Sequence, residues 1–505
     1  MERKWWTLLA ACVATFMLLL DITVVNVALP DIQRDLDASL SSLQWVVDAY
    51  ALTLAAFLLT TGSLGDRLGR RRVFNIGFGV FTTASLLCGI SGDATLLNLA
   101  RGLQGVGAAA MFATSLALIA QEFPPAERAT AIGAWGATVG GAVAVGPLIG
   151  GLLTEGFGWE WIFFANIPIG IAAILLTATK VPNVRATDPQ PVDWAGLVTF
   201  SAALFLLIFG LIRGNPEGWS SLPIVASLAG AAALLVAFFL VEVRQGHAML
   251  DLGLFRKPAF TGVSIVAWAL SAGMFAMFLY ITLYVQDVLG YSPLEAGVRF
   301  LPITLLSFFV AAISGRLSGR IPARVLLGVG LVLVGVGLLL MRGIELGDDW
   351  TTLLPGFLVA GVGIGLTNPA IASTALGVVA PFRAGMASGI NSTFRQVGIA
   401  TGVATLGAIF QSQIASRLSE LLPDAPAGLA DAVSAGGGRA AVEAAPPGNR
   451  AQIADAANQA FISGFNDILL IGAAIAIAGG ILGFALVRQR DFERGAEPAP
   501  EPAAA

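Results

Sequence analysis

The sequence predicts an all-α membrane protein of fourteen spans, and three observations carry that prediction. Only 12% of the 505 residues are charged and 56% are hydrophobic, against about 25% charged in an ordinary soluble chain. The mean hydropathy is +0.81, so apolar composition fills nearly the whole length rather than one anchor-sized segment. The basic residues also alternate between loops, rich on one side and poor on the other. Together these exclude a disordered chain, a nucleic-acid-binding surface and most soluble enzymes.

A span needs about 20 mostly apolar residues. Such segments fall near 7–29, 43–64, 75–92, 95–121, 130–153, 161–179, 194–212, 222–241, 259–286, 294–314, 323–341, 352–376, 384–411 and 462–487. They group as six, two and six. With the N-terminus inside, nineteen of the 28 basic residues lie on inner loops and six on outer ones, which is the positive-inside bias. Both termini are therefore expected in the cytoplasm. The first apolar run is not read as a cleaved signal peptide, because it is long and contains Asp21.

This gives an N-terminal six-helix bundle at 1–180, a two-helix insertion with linkers at 181–257, and a C-terminal six-helix bundle at 258–487. A cytoplasmic tail follows at 488–505. The outer segment 412–460 reads as a long, partly disordered connection, with 452–461 as a short helix lying on the outer surface. Cys12 and Cys88 sit in apolar runs, and the one histidine, His247, in a polar connection. No metal site, cofactor or disulfide framework is expected from them. Arg outnumbers Lys by 25 to three amid abundant Ala and Gly, a composition suggesting a high-GC bacterium and its cytoplasmic membrane.

Ionisable groups inside a span cost several kcal/mol by insertion scales and are functional candidates by default. They are Asp21, Asp48, Arg101, Arg395 and, at a span edge, Arg299. At 1.5 Å per residue, Asp21 is roughly 12 Å from the outer end, and Asp48 and Arg101 roughly 8–9 Å. If their helices are neighbours they form a carboxylate–guanidinium cluster. Such a cluster can load and release protons, because burial and a nearby Arg push a carboxyl in opposite directions. One acid merely pairing with Arg101 to fix helix packing is the plainer alternative.

Between spans 2 and 3 the sequence reads Gly62-Ser-Leu-Gly-Asp66-Arg67-Leu-Gly69-Arg70-Arg71-Arg72. Gly62 and Gly69 permit close approach and a tight turn. Asp66 can accept from Arg70 or face the positive N-terminus of a neighbouring helix. Span 4 aligns Arg101, Gln104, Gly105 and Ala108 on one face. Span 5 carries Gly133, Gly136, Gly140, Gly146, Pro147, Gly150 and Gly151, a small-residue surface for close helix contact with a kink expected at Pro147.

These motifs resemble the major facilitator superfamily. The 62–72 loop matches its G-x-L-x-D-R-x-G-R-R/K signature at every defining position. Three further stretches resemble the fourteen-span drug:proton antiporter branch: Asp21-Ile-Thr-Val-Val-Asn26-Val-Ala-Leu-Pro30, Arg101-Gly-Leu-Gln104-Gly-Val-Gly107, and Gly133 with Gly146-Pro147 and Gly150-Gly151, where Ala142 replaces an expected Gly. Gly389-Ile-Asn391-Ser-Thr-Phe-Arg395-Gln396-Val-Gly398 also looks like this branch. A degenerate second copy of the loop, Gly315-Arg-Leu-Ser-Gly319-Arg320-Ile-Pro-Ala-Arg324, keeps the basic character and lacks the Asp66 equivalent. The resemblance implies the major facilitator fold: two six-helix bundles about a membrane-normal axis, here with two extra central helices. It also implies that Arg101 serves proton coupling and that Gly62, Asp66, Arg67, Gly69, Arg70 and Arg71 form an inner gate.

The expected function is proton-coupled export of lipophilic or amphipathic compounds, often cationic because Asp21 and Asp48 could attract them, by alternating access. The energy source is the proton gradient, with no ATP-binding motif present. Candidate cavity residues, chosen by span membership and polarity, are Asp21, Gln104, Trp135, Met274, Phe275, Phe278, Tyr280, Asn368 and Asn391. The partners expected are the small-molecule substrate, H⁺ and membrane lipid, with the chain a monomer. The rivals are a dedicated exporter of one metabolite, antibiotic or lipid, a nutrient importer, and a membrane receptor or scaffold that transports nothing. An integral-membrane enzyme is the least favoured.

Overall fold

The computed structural model describes residues 2–38, 40–182, 192–244, 250–317, 320–380, 383–423, 425 and 428–492. The first six long helices are α1 (Arg3–Asp35), α2 (Leu40–Leu68), α3 (Arg70–Gly89), α4 (Ala94–Glu122), α5 (Pro125–Phe157) and α6 (Asn166–Lys180). A central pair follows, α7 (Trp194–Glu217) and α8 (Leu222–Arg244). Helix α9 starts at Pro258–Leu270 and continues to Val288 through π-helical turns at Ser271–Phe275 and Tyr284–Val288. The last five are α10 (Leu301–Leu317), α11 (Ala323–Leu340), α12 (Leu354–Gly377), α13 (Ala384–Leu421) and α14 (Arg450–Leu486).

Local chemistry sets the boundaries. Asp93 accepts the Leu96 N–H at 2.8 Å and starts α4; Asp193 accepts the Gly196 N–H at 2.7 Å and starts α7. Gly69 divides α2 from α3 at φ +102°, a left-handed conformation that a side chain would strain. Most exposed faces are apolar, with Ile76, Leu99, Leu152, Leu175, Leu222, Val243, Phe309 and Ile481 all on the surface. A water-soluble monomer would not display so large an apolar surface.

Twelve helices among the described residues are long and apolar enough to cross a membrane. The two other expected spans, 130–153 and 294–314, fall in α5 and in the short helix Pro293–Arg299 with α10. The first carries no charged residue anywhere in 130–153, and the apolar part of the second lies within Leu301–Gly315. These two helices pack on each other, and small residues serve that contact.

The first and last six helices repeat one pairing scheme. Helices α1–α5, α2–α4, α3–α4 and α3–α6 pack together, and so do α9–α13, α10–α12, α11–α12 and α11–α14. The halves meet along α2–α13 and α5–α10, contacts that exchange under the same two-fold relation. Helix α7 lies across the α2–α13 seam and α8 packs on α7. At the end bearing Asp66, an apolar seal joins Leu8, Leu116, Ile119, Phe123, Ile132 and Trp135 of the first half to Ala372, Leu376 and Ala384 of the second.

The outer segment differs from expectation. Helix α13 runs on to Leu421, short helices follow at Leu429–Ser434 and Gly438–Ala444, and 452–461 belongs to α14 rather than to a separate surface helix. Apolar residues Leu418, Leu422, Leu429, Val433, Ile453 and Phe461 are buried together there, which gives this region a core that its Gly- and Pro-rich composition obscured. The tail from 493 and the loop positions Ser318 and Gly319 lie outside the described residues.

Candidate functional site

Asp21 of α1 and Arg101 of α4 form an ion pair inside the first half, with both side chains 1% exposed. Neutral groups surround the pair. Arg101 Nε donates to the Val46 carbonyl at 2.9 Å and Nη1 to Gln104 Oε1 at 2.6 Å. Gln104 Nε2 donates to Asp21 Oδ1 and to Ser85 Oγ, both at 2.9 Å, and Asn166 Nδ2 reaches Asp21 Oδ1 at 3.4 Å. The guanidinium also lies 4.4 Å from the Tyr50 ring and 5.8 Å from Phe163. Gln104 faces Arg101 one turn along α4, as its spacing predicts. Ser85, Asn166 and Tyr50 come from α3, α6 and α2, and no sequence spacing links them to Asp21.

Asp48 does not join this cluster. It faces away from Arg101 toward Arg213 of α7, 3.8 Å distant, with its side chain 16% exposed. Arg213 also donates to Gln44 Oε1 at 3.0 Å and Glu217 Oε1 at 2.8 Å, and lies 5.5 Å from the Trp45 ring. The sequence reading assigns Arg213 to an outer loop, one residue past a span. It is instead buried on the last turns of α7, because Trp45, Gln44 and Asp48 offer it a polar and aromatic seat.

The 62–72 loop closes one end of the interface. Asp66 accepts the backbone N–H groups of Gly385 at 3.0 Å and Met386 at 2.8 Å, the first turn of α13. A carboxylate there meets unpaired N–H groups and the positive end of the helix dipole. Arg70 holds the same carboxylate from Nε at 2.9 Å and donates from Nη1 to the Ala117 carbonyl of α4 at 3.2 Å. Arg71 donates to the carbonyls of Ala178 and Val181 at the end of α6. A Cβ on Gly62 would strike the Gly385 carbonyl, and one on Gly389 would lie 3.0 Å from the Leu58 carbonyl. In the other seam, a Cβ on Gly133 would lie 3.1 Å from the Ala311 carbonyl and 3.2 Å from Gly315 Cα.

The remaining span 5 glycines divide by role. Gly146 and Gly150 sit against Thr23 and Val24 of α1, whereas Gly151 faces open space. The side chain of Pro147 lies outside the described residues. Of the residues expected to line a cavity, Trp135 is buried in the seal and donates from Nε1 to Thr15 Oγ1 at 2.7 Å. Met274 is 0% exposed, and Tyr280 donates to the Val403 carbonyl at 3.0 Å; both pack within the second half. Phe275 and Phe278 are partly exposed. Asn368 accepts from Arg395 Nη2 at 2.8 Å, and Asn391 lies one turn before Arg395 on α13. Arg299 stacks 3.3 Å above the Tyr291 ring, away from these clusters.

Comparison with known proteins agrees with this architecture. The family model of the Major Facilitator Superfamily matches residues 11–403. The chain is 33% identical to the tetracenomycin C resistance and export protein of Streptomyces glaucescens, over 99% of this chain and 95% of that protein. It is 37% identical to the multidrug resistance protein Stp of Mycobacterium tuberculosis, over 82% of this chain and 77% of that one. It is 32% identical to the multidrug efflux pump LfrA of Mycolicibacterium smegmatis, over 96% and 97%. The fold superimposes on the human organic anion transporter MFSD10 with a TM-score of 0.63 at 14% identity, covering 96% of this chain and 100% of that one. Matched by the family model over most of its length and built from the same paired half-bundles, the chain belongs to the Major Facilitator Superfamily.

Proposed function

We propose that the protein is a proton-coupled exporter of lipophilic or amphipathic compounds, working by alternating access in the cytoplasmic membrane of a bacterium. In this reading all fourteen helices span, both termini are cytoplasmic, and the end sealed by Asp66 and Trp135 is the inner one. The inner seal then corresponds to an outward-facing state. The observation that carries the reading is the enclosed Asp21–Arg101 pair with its neutral hydrogen-bonding shell. A proton taken by Asp21 removes the counter-charge of Arg101 inside the bundle. An uncompensated buried cation is costly, so protonation favours a repacking of α1 against α4 and, through α1–α5, of the seam that α5 shares with α10. Arg101 stays charged throughout, and its renewed approach to Asp21 favours the carboxylate, so that Asp21 releases its proton to the inner side when that side opens.

Relatives named both for multidrug resistance and for export of one compound support the export direction and leave room for a dedicated substrate. Inverted membrane vesicles carrying the protein and given an imposed pH gradient test the reading. Fluorescent compounds of negative, neutral and positive charge are offered in parallel. Gradient-dependent uptake of at least one, abolished by a protonophore, supports it; no gradient-dependent movement of any of them contradicts it.

A further inference from the structure

Two arginines lie deep within the helices, and only one has a counter-ion. Arg101 has Asp21. Arg395, eleven residues into α13 and so roughly 16 Å from the sealed end, has the neutral amide of Asn368 at 2.8 Å and the Phe275 ring at 5.7 Å. No carboxylate among the described residues pairs with it. The sequence explains why: α10, α11 and α12 contain no Asp or Glu, nor does α13 before Glu420, and the one acid of α9 is Asp287 near its end. A permanently charged guanidinium near the middle of a bilayer, facing only a neutral amide and an aromatic ring, lacks the compensation that membrane interiors demand.

Its surroundings supply neutral polar groups that can donate, and no carboxylate among the described residues. Ser388, Asn391 and Arg395 share one face of α13 at i, i+3 and i+7. Ser388 Oγ and Asn391 Nδ2 are buried without a hydrogen-bond partner, and so is Ser271 Oγ on the π-turn of α9. Ser271 lies against α13, since a Cβ on Gly398, one turn beyond Arg395, would sit 2.9 Å from its Cβ. Buried polar groups are normally satisfied, and π-turns concentrate at functional positions. From Arg395 an aromatic wall runs along Phe275, Phe278 and Phe300, with ring centroids 6.3 and 6.0 Å apart. Arg395, Phe275, Phe278 and Phe300 are all partly exposed, so this wall borders open space.

We infer that Arg395 is the anion-binding residue of the substrate site. The exported compound then carries an ionised acidic oxygen group, and its aromatic body lies along Phe275 and Phe278. The inference rests on the export reading above and narrows it. Both carboxylates that would favour a cationic substrate, Asp21 and Asp48, already face arginines. A planar guanidinium with amide and hydroxyl donors beside it suits a carboxylate, which accepts two parallel N–H bonds.

The test is equilibrium binding to the purified full-length protein in a neutral maltoside detergent free of anionic lipid, read by tryptophan fluorescence. The probes are anthraquinone-2-carboxylate, its methyl ester and the matching trimethylammonium compound. The wild type is expected to bind the carboxylate at least about tenfold more tightly than the ester, with the cation weakest. Arg395→Gln brings carboxylate and ester within about twofold of each other, and Arg395→Lys keeps part of the preference. Equal binding of carboxylate and ester by the wild type, tighter binding of the cation, or an intact preference in Arg395→Gln each overturns the inference.

Melting temperature separates a ligand site from a packing residue. Without ligand, Arg395→Gln is expected to melt at or above the wild type, since an unpaired buried charge is gone. A marked fall assigns Arg395 to packing and overturns the inference. Binding needs no pH gradient, so it reads substrate charge independently of whether the vesicles transport.

Discussion

Asp66 accepts the backbone N–H of Met386 at 2.8 Å across the interface between the halves, joining residues 320 positions apart. The bond ties the end of α2 to the first turn of α13, where the two helices approach closely enough for Gly62 and Gly385 to be in backbone contact. Charge and steric fit thus act at one place, and opening that end means separating both. Gly62→Val sets a side chain against the Gly385 carbonyl and disfavours the sealed state by about 1–3 kcal/mol, the usual cost of overpacking. Spin labels at the exposed positions Arg72 and Arg320 are expected to report a longer distance in this variant than in the wild-type sequence. An unchanged distance distribution would count against the seam as the closing element.

The Asp21–Arg101 pair carries a stability prediction separate from transport. Asp21→Asn leaves the guanidinium without its counter-charge inside the first half and is expected to destabilise the protein by about 3–5 kcal/mol. Adding Arg101→Gln removes that charge and recovers part of the loss, while transport stays absent. Thermal unfolding of the two variants in detergent checks this, and a double variant less stable than Asp21→Asn alone would be inconsistent with it.

Asp48 and Arg213 link the first half to the central helix pair. Arg213→Gln and Asp48→Asn are each expected to slow transport, and their combination to cost less than the sum, with a coupling of about 0.5–3 kcal/mol. Transport rates across the four proteins of this cycle measure the coupling. Strict additivity would mean that α7 only fills space.

An anionic substrate also fixes the response to voltage. Anion exit with proton entry moves positive charge inward on both counts, so an inside-negative potential drives export beyond what the pH gradient supplies. Each charge contributes about 2.3 kcal/mol per 100 mV. Collapsing the potential with valinomycin and potassium at constant pH gradient is expected to slow export of the carboxylate. An unaffected rate would argue against net inward charge movement.

Much of this was legible in the sequence, for reasons that explain the rest. Asp21, Arg101 and Asp66 stood out because charge is scarce, and the spacing of Gln104 placed it beside Arg101. Arg213 was missed because it follows an apolar run by one residue, where a loop and a last helical turn read alike. Ser85, Asn166 and Tyr50 are ordinary span residues whose roles arise only when α3, α6 and α2 converge on α1. Arg395 was visible as a charge within a span, but its lack of a counter-ion appears only when all its neighbours are known. Met274 and Trp135 met the criteria of span membership and polarity, which do not tell a cavity wall from the packed interior that holds both.

The central claim is that Asp21 carries the transported proton. Substrate-induced proton release, followed with a pH-sensitive dye on the detergent-solubilised protein at low buffer capacity, tests it most directly. The wild type is expected to release protons on addition of a transported compound, and Asp21→Asn to bind the same compound without release. Release of wild-type amplitude from Asp21→Asn would contradict the account.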